Sequence, residues 1–242
     1  MSKRFRDKTV LITGASKGLG KAIANDFAKE GANLILIARN KDLLNDVKNN
    51  ITESFNSKVL VINTNLADPK NIKSAFELIS NSQLKLDYVI NNAGYLKPQS
   101  ILNLEFETWN ETFNVNVTAP FLISQKALSL FNEDPKKDKA IINISSLSGI
   151  PQIEKFPNMT SYIASKHAIN GLTEGLAVEL KEKKIRVNAI APGAINTEML
   201  QTIFPDYQSE TDPSDISPIV LQLCDPSISK HITGSIIPIH CN

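Results

Sequence analysis

The chain has 242 residues, of which 42% are apolar and 21% charged, a composition typical of a globular domain with a large core. Its formal net charge of +1 gives no broad basic surface for nucleic acid. No apolar run approaches the roughly 18 residues of a membrane span, and the basic start lacks the apolar stretch of a signal peptide. We therefore expect a cytoplasmic protein without a nucleic-acid or membrane partner.

Short β-rich apolar runs alternate with longer amphipathic segments along the chain. The predicted strands are 9–13, 34–38, 59–63, 88–91, 140–145, 185–190 and 235–239. The predicted helices are 19–30, 41–53, 71–81, 106–131 and 162–181, with a kink near Pro120 in the fourth. Strands buried on both faces and joined by crossover helices predict a doubly wound α/β fold, with a parallel sheet of about seven strands.

The two cysteines, Cys224 and Cys241, have neither the spacing of a metal site nor that of a disulfide framework. We therefore expect no metal. No linker, repeat or low-complexity tract divides residues 1–242, so we expect a single domain.

A glycine-rich turn, GASKGLG, follows the first predicted strand directly. It places Gly14, Gly18 and Gly20 where the first helix begins. Glycine allows a sharp turn and a close approach of the backbone to a ligand, and the free N–H groups of a helix start attract phosphate. The alternative is an ordinary βα turn. In a βαβ unit, however, this pattern predicts a pyrophosphate site in a Rossmann-type dinucleotide-binding domain.

The segment SYIASK contains a tyrosine and a lysine four residues apart, Tyr162 and Lys166. In a helix these two side chains lie on one face, and a nearby ammonium favours the phenolate. The spacing predicts a tyrosine whose pKa is lowered for proton transfer. A pair at this spacing also arises by chance, so its meaning depends on the rest of the chain.

Four motifs occur in one order: TGASKGLG, NNAG at 91–94, SYIASK, and PGAINT at 192–197. Together they resemble the short-chain dehydrogenase/reductase family over nearly the whole chain. The resemblance implies a catalytic group of Asn116, Ser146, Tyr162 and Lys166. In it Ser146 binds the substrate carbonyl, Tyr162 is the general acid of reduction, Lys166 binds the nicotinamide ribose, and Asn116 holds a water for proton relay.

Ser145 and Ser148 are rivals for the serine position. Strand alternation turns Ser145 to the opposite face from Ser146, and Ser148 lies one step beyond the expected place. The sequence therefore favours Ser146.

The resemblance also assigns residues to the dinucleotide. They are Gly14, Ser16, Lys17, Gly18, Leu19, Gly20, Arg39, Asn65, Leu66, Asn92, Ala93, Gly94, Tyr162, Lys166, Pro192, Gly193, Ile195 and Thr197. At the end of the second strand Ala38 stands where NAD-binding relatives carry an acid, and Arg39 follows. With Lys17 and Ser16 in the glycine turn, this predicts a preference for NADP(H), with NAD(H) possible.

Three departures from the family pattern bear on particular expectations. Asn65 replaces the usual aspartate beside adenine, so any contact there uses its amide. The C-terminal PIHCN differs from the usual ending, which weakens a C-terminal role in assembly and leaves dimer and tetramer both open. Sixteen positions separate Ser146 from Tyr162, with an extra loop IPQIEKFPNM, whereas the segment after Thr197 is short for a substrate lid. The short lid predicts an open pocket and resembles a bacterial branch of short-lid oxidoreductases.

The leading interpretation is an NADPH-dependent oxidoreductase that reduces a ketone, an aldehyde or a 3-oxoacyl compound to an alcohol. An NAD-dependent alcohol dehydrogenase is the second interpretation, and a non-catalytic dinucleotide-sensing module is the third. The complete proton-transfer set favours catalysis, because a sensor would not need it. The resemblance also implies a homodimer or homotetramer that pairs the segments 106–131 and 162–181. Apolar residues surround much of the segment 115–131, more than one buried face requires, and burial against its own sheet is the alternative.

Overall fold

The computed structural model of the protein describes residues 3–134 and 136–241. Its seven strands are β1 (Thr9–Thr13), β2 (Asn33–Ala38), β3 (Val59–Asn63), β4 (Tyr88–Asn91), β5 (Lys139–Ile144), β6 (Ile185–Pro192) and β7 (Ile236–Ile239). They form one parallel sheet in the order β3-β2-β1-β4-β5-β6-β7. The predicted doubly wound parallel sheet is confirmed.

Nine α-helices occur in the described part of the chain. They are α1 (Gly18–Lys29), α2 (Lys41–Phe55), α3 (Pro69–Asn81), α4 (Phe106–Phe113), α5 (Ala119–Ala127), α6 (Thr160–Glu179), α7 (Glu198–Ile203), α8 (Pro213–Cys224) and α9 (Pro226–Ser229). Side-chain caps fix several of their starts: the Asn40 carboxamide accepts from Leu43 N at 3.0 Å, and Asp68 accepts from Lys70 N at 2.9 Å. None of these helices is long and apolar enough to cross a membrane.

The segment predicted as one helix over 106–131 is interrupted. A π-helical turn, Asn114–Thr118, separates α4 from α5, and Pro120 lies in the first turn of α5, where its missing N–H costs no helical hydrogen bond. The helix ends at Ala127 rather than Phe131 because the chain then pairs with the segment before β4. There Leu86 N donates to Leu130 O at 2.8 Å, and Phe131 bridges to Leu86.

Two hydrophobic layers cover the two faces of the sheet. On one face Ile23 and Phe27 of α1 pack with Val220 of α8, and on the other Ile79 of α3 and Ile123 of α5 meet the sheet. Because both faces are covered, β1, β5 and β6 are buried along their whole length.

The strand order reverses at β1, which pairs with β2 on one side and β4 on the other. The connections from these strands leave to opposite faces of the sheet and open a crevice at its carboxyl edge. The glycine turn after β1 lies at this crevice, as do the segments that follow β2, β4, β5 and β6.

Candidate active site

A cavity of about 720 Å³ lies at this crevice, within the usual range for small-molecule sites. All the sequence-predicted site residues line it except Gly20 and Asn116, which lie behind its wall. The structure therefore brings together residues from the turns after six different strands, β1 to β6.

The glycine turn has the geometry of a phosphate cradle. Gly14 and Gly18 adopt φ of +65° and +53°, in the left-handed region that favours glycine. A Cβ on Gly20 would lie 2.5 Å from Asn92 Nδ2 and closer still to the Gly14 carbonyl oxygen, so Gly20 is required for packing rather than for ligand contact. Helix α1 begins at Gly18 and directs its free N–H groups toward the cavity.

Asn92 and Ala93, which follow β4, are tied to this turn. Asn92 Nδ2 donates to Thr13 O at 2.9 Å, and the main-chain N–H groups of Asn92 and Ala93 each donate to Thr13 Oγ1 at 3.0 Å. Gly94 continues along the cavity wall. These bonds fix the spacing between the two walls of the crevice.

The groups predicted at the adenine end lie beside one another, but one of them already has a partner. Arg39 is exposed directly after β2, and Ser16 lies in the glycine turn. Lys17, expected to reach the same point, has its Nζ 2.6 Å from Glu198 Oε2 at the start of α7. Asn65 Oδ1 accepts from Ala67 N at 3.1 Å, which leaves the Nδ2 group for any contact with adenine.

The segment after β6 forms the other side of the cavity. Thr197 caps α7 by accepting from Leu200 N at 3.3 Å, and a Cβ on Gly18 would lie 3.3 Å from Thr197 Cγ2. Pro192, Gly193 and Ile195 precede it on the same wall. The segment therefore closes directly over the glycine turn.

Ser146, Tyr162 and Lys166 line the same cavity. Ser146 Oγ accepts from Ser148 N at 3.1 Å as the cap of a short 3₁₀ turn, Leu147–Gly149. Lys166 is buried, and its Nζ donates to Ile144 O at 2.8 Å and lies 5.4 Å from the Tyr162 ring centre. The rival Ser145 is buried too, and its Oγ donates to Lys166 O at 3.3 Å.

The pKa of Tyr162 differs from the sequence expectation. Burial raises the pKa of Tyr162 above that of a free phenol, and the Ser146 hydroxyl offsets part of this rise. The described hydrogen bond of the Lys166 ammonium is to the Ile144 carbonyl oxygen rather than to the Tyr162 hydroxyl. Burial also lowers the pKa of Lys166 to about 8, which weakens the positive charge that the prediction relied on. The tyrosine is therefore held in its protonated, acidic form at neutral pH.

Asn116 lies inside the π-helical turn and is almost fully buried. Its Nδ2 donates to Tyr95 O at 2.9 Å and to Ser165 Oγ at 3.0 Å, and its Oδ1 accepts from Tyr95 N at 2.8 Å. The amide is thus occupied by protein partners, so the side chain positions Tyr95 and α6. Any contact with a relay water falls to the main chain of this turn.

Sequence reasoning missed most of the residues at the substrate end of the cavity. They are Tyr95, Leu96, Ile153, Phe156, Met159, Ile203, Phe204, Tyr207 and Cys241. Phe156 belongs to the extra loop, whereas Phe204 and Tyr207 belong to the lid, residues 198–207. The Phe156 ring centre lies 5.5 Å from that of Phe204 and 6.4 Å from that of Tyr207.

The longer loop therefore reaches the short lid on one side of the cavity, and the openness of the pocket stays a prediction. The unusual length of the loop was the available sequence signal. That the lid is the contact partner of this loop could not be predicted from the sequence.

The family model for short chain dehydrogenases matches residues 8–208. An uncharacterised oxidoreductase of Staphylococcus aureus is 32% identical over 215 residues, which cover 89% of this chain and 90% of that protein. The 3-oxoacyl-acyl-carrier-protein reductase of Aquifex aeolicus is 28% identical, with 99% of this chain and 98% of that protein covered.

Among solved structures, a short chain dehydrogenase from Burkholderia cenocepacia in complex with NADP superposes with a TM-score of 0.88 at 28% identity, covering 98% of both chains. The family match spans most of the chain and agrees with the four motifs. The chain belongs to the short-chain dehydrogenase/reductase family and is an NAD(P)-dependent oxidoreductase.

Proposed function

We propose that the protein reduces the carbonyl group of a small molecule to an alcohol at the expense of NADPH. The observation that carries the proposal is the presence of Ser146, Tyr162 and the buried Lys166 on the wall of one crevice with the glycine turn. A carbonyl that accepts a hydride at carbon develops negative charge on oxygen, so donors must already be placed there.

The residues of the crevice fit a dinucleotide. The positive φ angles of Gly14 and Gly18 and the free N–H groups of α1 suit a pyrophosphate, and a side chain larger than hydrogen at Gly14 would collide with Ala93 at 2.9 Å. The bound nicotinamide supplies the hydride. Arg39, exposed after β2 with no acid at Ala38, supports selection of a 2′-phosphate over a 2′-hydroxyl.

Each catalytic side chain then has a separate task. Ser146 donates a hydrogen bond to the substrate oxygen and orients it, and Tyr162 transfers its phenolic proton to the same oxygen. The raised pKa of Tyr162 keeps that proton on the phenol at neutral pH, so the hydroxyl can serve as the general acid of reduction. Lys166 remains fixed by Ile144 O and can present its remaining N–H groups to a ribose.

The test is loss of NADPH absorbance with a panel of ketones, aldehydes and 3-oxoacyl thioesters, for wild type and Tyr162→Phe. We expect at least one compound to be reduced by the wild type and the rate to fall by at least about 100-fold in the variant. Equal rates for both proteins would contradict the proposal.

A further inference from the structure

The extra loop that follows the 3₁₀ turn is anchored rather than loose. Lys155 Nζ donates to Leu147 O at 2.8 Å and to Ile150 O at 2.6 Å, and Asn158 O accepts from Gln99 N at 2.8 Å. These bonds hold the loop against the turn that begins at Ser146. Phe156, between the anchors, is therefore carried to a fixed place on the cavity rim.

The segments on either side of the lid, opposite this loop, are bonded to each other. Ser209 Oγ donates to Ala194 O at 2.7 Å, and Asn196 Nδ2 donates to Asp212 Oδ1 at 3.0 Å. Two aromatic rings of the lid thus meet Phe156 across the cavity mouth, with the Tyr207 ring at 82° to that of Phe156. Although they touch one another, Phe156 remains 51% exposed and Tyr207 39% exposed. The uncovered faces are apolar surface at the edge of a binding cavity.

Charge is distributed unevenly along the cavity. Of the described residues that line it, Lys17, Arg39, Glu154, Lys166 and Glu198 are charged. Lys17 and Glu198 form an ion pair, Arg39 follows β2 at the far end, and Lys166 is bonded to Ile144 O. The charged lining residue of the loop that carries Phe156 is Glu154, which is exposed, whereas the ammonium of Lys155, between the two, is bonded to Leu147 O and Ile150 O.

An anionic substrate would therefore meet a carboxylate at the rim, without a described arginine or unengaged lysine on the cavity wall there to neutralise it. An uncharged flat apolar group, in contrast, would cover ring faces that are now in contact with water.

On these grounds, and resting on the proposed function, we infer that the substrate is an uncharged carbonyl compound with an aromatic or similarly flat apolar substituent. Phe156 is a specificity-determining residue that the loop contributes, and Glu154 excludes carboxylates. The lid rings Phe204 and Tyr207 complete the site from the other side.

The test uses two matched pairs of 2-oxo compounds: ethyl benzoylformate with benzoylformate, and ethyl pyruvate with pyruvate. Within each pair the ethyl ester removes the negative charge of the carboxylate and adds an ethyl group, and between the pairs a phenyl group replaces a methyl group. We expect ethyl benzoylformate to have the highest kcat/KM, at least tenfold above its carboxylate and at least tenfold above ethyl pyruvate.

Phe156→Ala should lower the kcat/KM for ethyl benzoylformate at least fivefold, mainly through KM, and change the kcat/KM for ethyl pyruvate less than twofold. Glu154→Gln should raise kcat/KM for benzoylformate severalfold and leave its ester unchanged.

Leu78→Ala serves as the control, because Leu78 lies on α3 outside the cavity wall and is 56% exposed, close to the value for Phe156. Leu78→Ala should leave the kcat/KM for both esters unchanged. A preference for the carboxylates, or an equal loss for both esters in Phe156→Ala, would overturn the inference.

Saturation-transfer difference NMR with the same compounds and protein variants gives a readout that needs no turnover. Transfer to the phenyl protons of ethyl benzoylformate, lost in Phe156→Ala, would support the ligand class. Such binding without reduction of any compound would refute the proposed function and leave the ligand class standing. No transfer in the wild type would overturn the inference itself.

Discussion

Lys17 Nζ lies 2.6 Å from Glu198 Oε2, and this ion pair joins the glycine turn to the first turn of the lid helix α7. Both side chains are more than half exposed, so the pair contributes roughly 0–1 kcal/mol. Its consequence concerns ligand binding more than stability, because Glu198 places a carboxylate beside a cavity that is proposed to receive phosphates.

Glu198→Gln should strengthen NADPH binding by about two- to fivefold, since the ammonium of Lys17 is released toward the phosphates and a negative charge is removed. Titration by cofactor fluorescence measures this effect, which should shrink at high salt because exposed charges are screened. Glu77→Gln on the exposed surface of α3 is the matched control. Weaker NADPH binding in Glu198→Gln would show that the ion pair instead organises the site.

Ser146→Ala should lower kcat by about 10²–10³-fold, as expected when one of two donors to a developing oxyanion is removed. Cofactor affinity and the thermal midpoint should change little, because Ser146 Oγ caps only the short 3₁₀ turn through Ser148 N and otherwise faces Tyr162. Ser148→Ala is the neighbouring control, and a loss of rate as large as that of Ser146→Ala would transfer the donor role to Ser148.

Arg39→Asp combined with Lys17→Ala should reverse the preference between dinucleotides. The new carboxylate repels a 2′-phosphate and accepts hydrogen bonds from a 2′-hydroxyl, so KM for NADPH should rise at least tenfold more than KM for NADH. Steady-state kinetics with both cofactors measure the ratio. If the wild type has the higher kcat/KM for NADH, the NADP assignment is wrong, and the roles assigned to the catalytic residues are unaffected.

Lys166 should make the free energy of unfolding rise with pH above about 8. Its pKa is lowered to about 8 in the folded protein, whereas the unfolded chain keeps the ordinary value of 10.5. Between these values the unfolded state binds a proton that the folded state has lost, so the free energy of unfolding increases with pH by at most about 1.4 kcal/mol per unit.

Urea unfolding at pH 7, 8 and 9 for wild type and Lys166→Met tests this dependence. The free energy of unfolding of the wild type minus that of the variant should increase from pH 7 to pH 9. A difference that is constant or falls with pH would mean that Lys166 keeps its charge in the folded state.

Association through α4 and α5 should give a mass at least twice that of the 26.6 kDa chain. Phe106 is 70% exposed at the start of α4 and Phe121 is 42% exposed on α5, and the preceding Leu102 is 90% exposed. Such apolar side chains on neighbouring segments suit an interface between copies of the chain.

Light scattering at micromolar concentration measures the mass, and Phe121→Glu should reduce it to that of a monomer. Leu78→Glu, on an exposed part of α3, should not. A monomeric wild type would refute the expected oligomer.

Local patterns in the sequence were sufficient to predict the sheet and the position of the cofactor turn. Strands buried on both faces are nearly all apolar, as in the run from Leu34 to Ala38, and glycines with positive φ stand where the chain must turn, so both features leave direct marks in the sequence. Tyr162 and Lys166 are likewise neighbours on a single helix, where spacing determines proximity.

Tertiary structure alone decided the relations between distant segments. Lys166 Nζ donates to Ile144 O across 22 positions, and burial raises the pKa of Tyr162. The loop that carries Phe156 meets the lid about 50 positions away, and Lys17 meets Glu198 across 181. Such contacts depend on which elements the sheet brings together and on how deeply each group is buried. The local spacing of residues in the sequence determines neither of these.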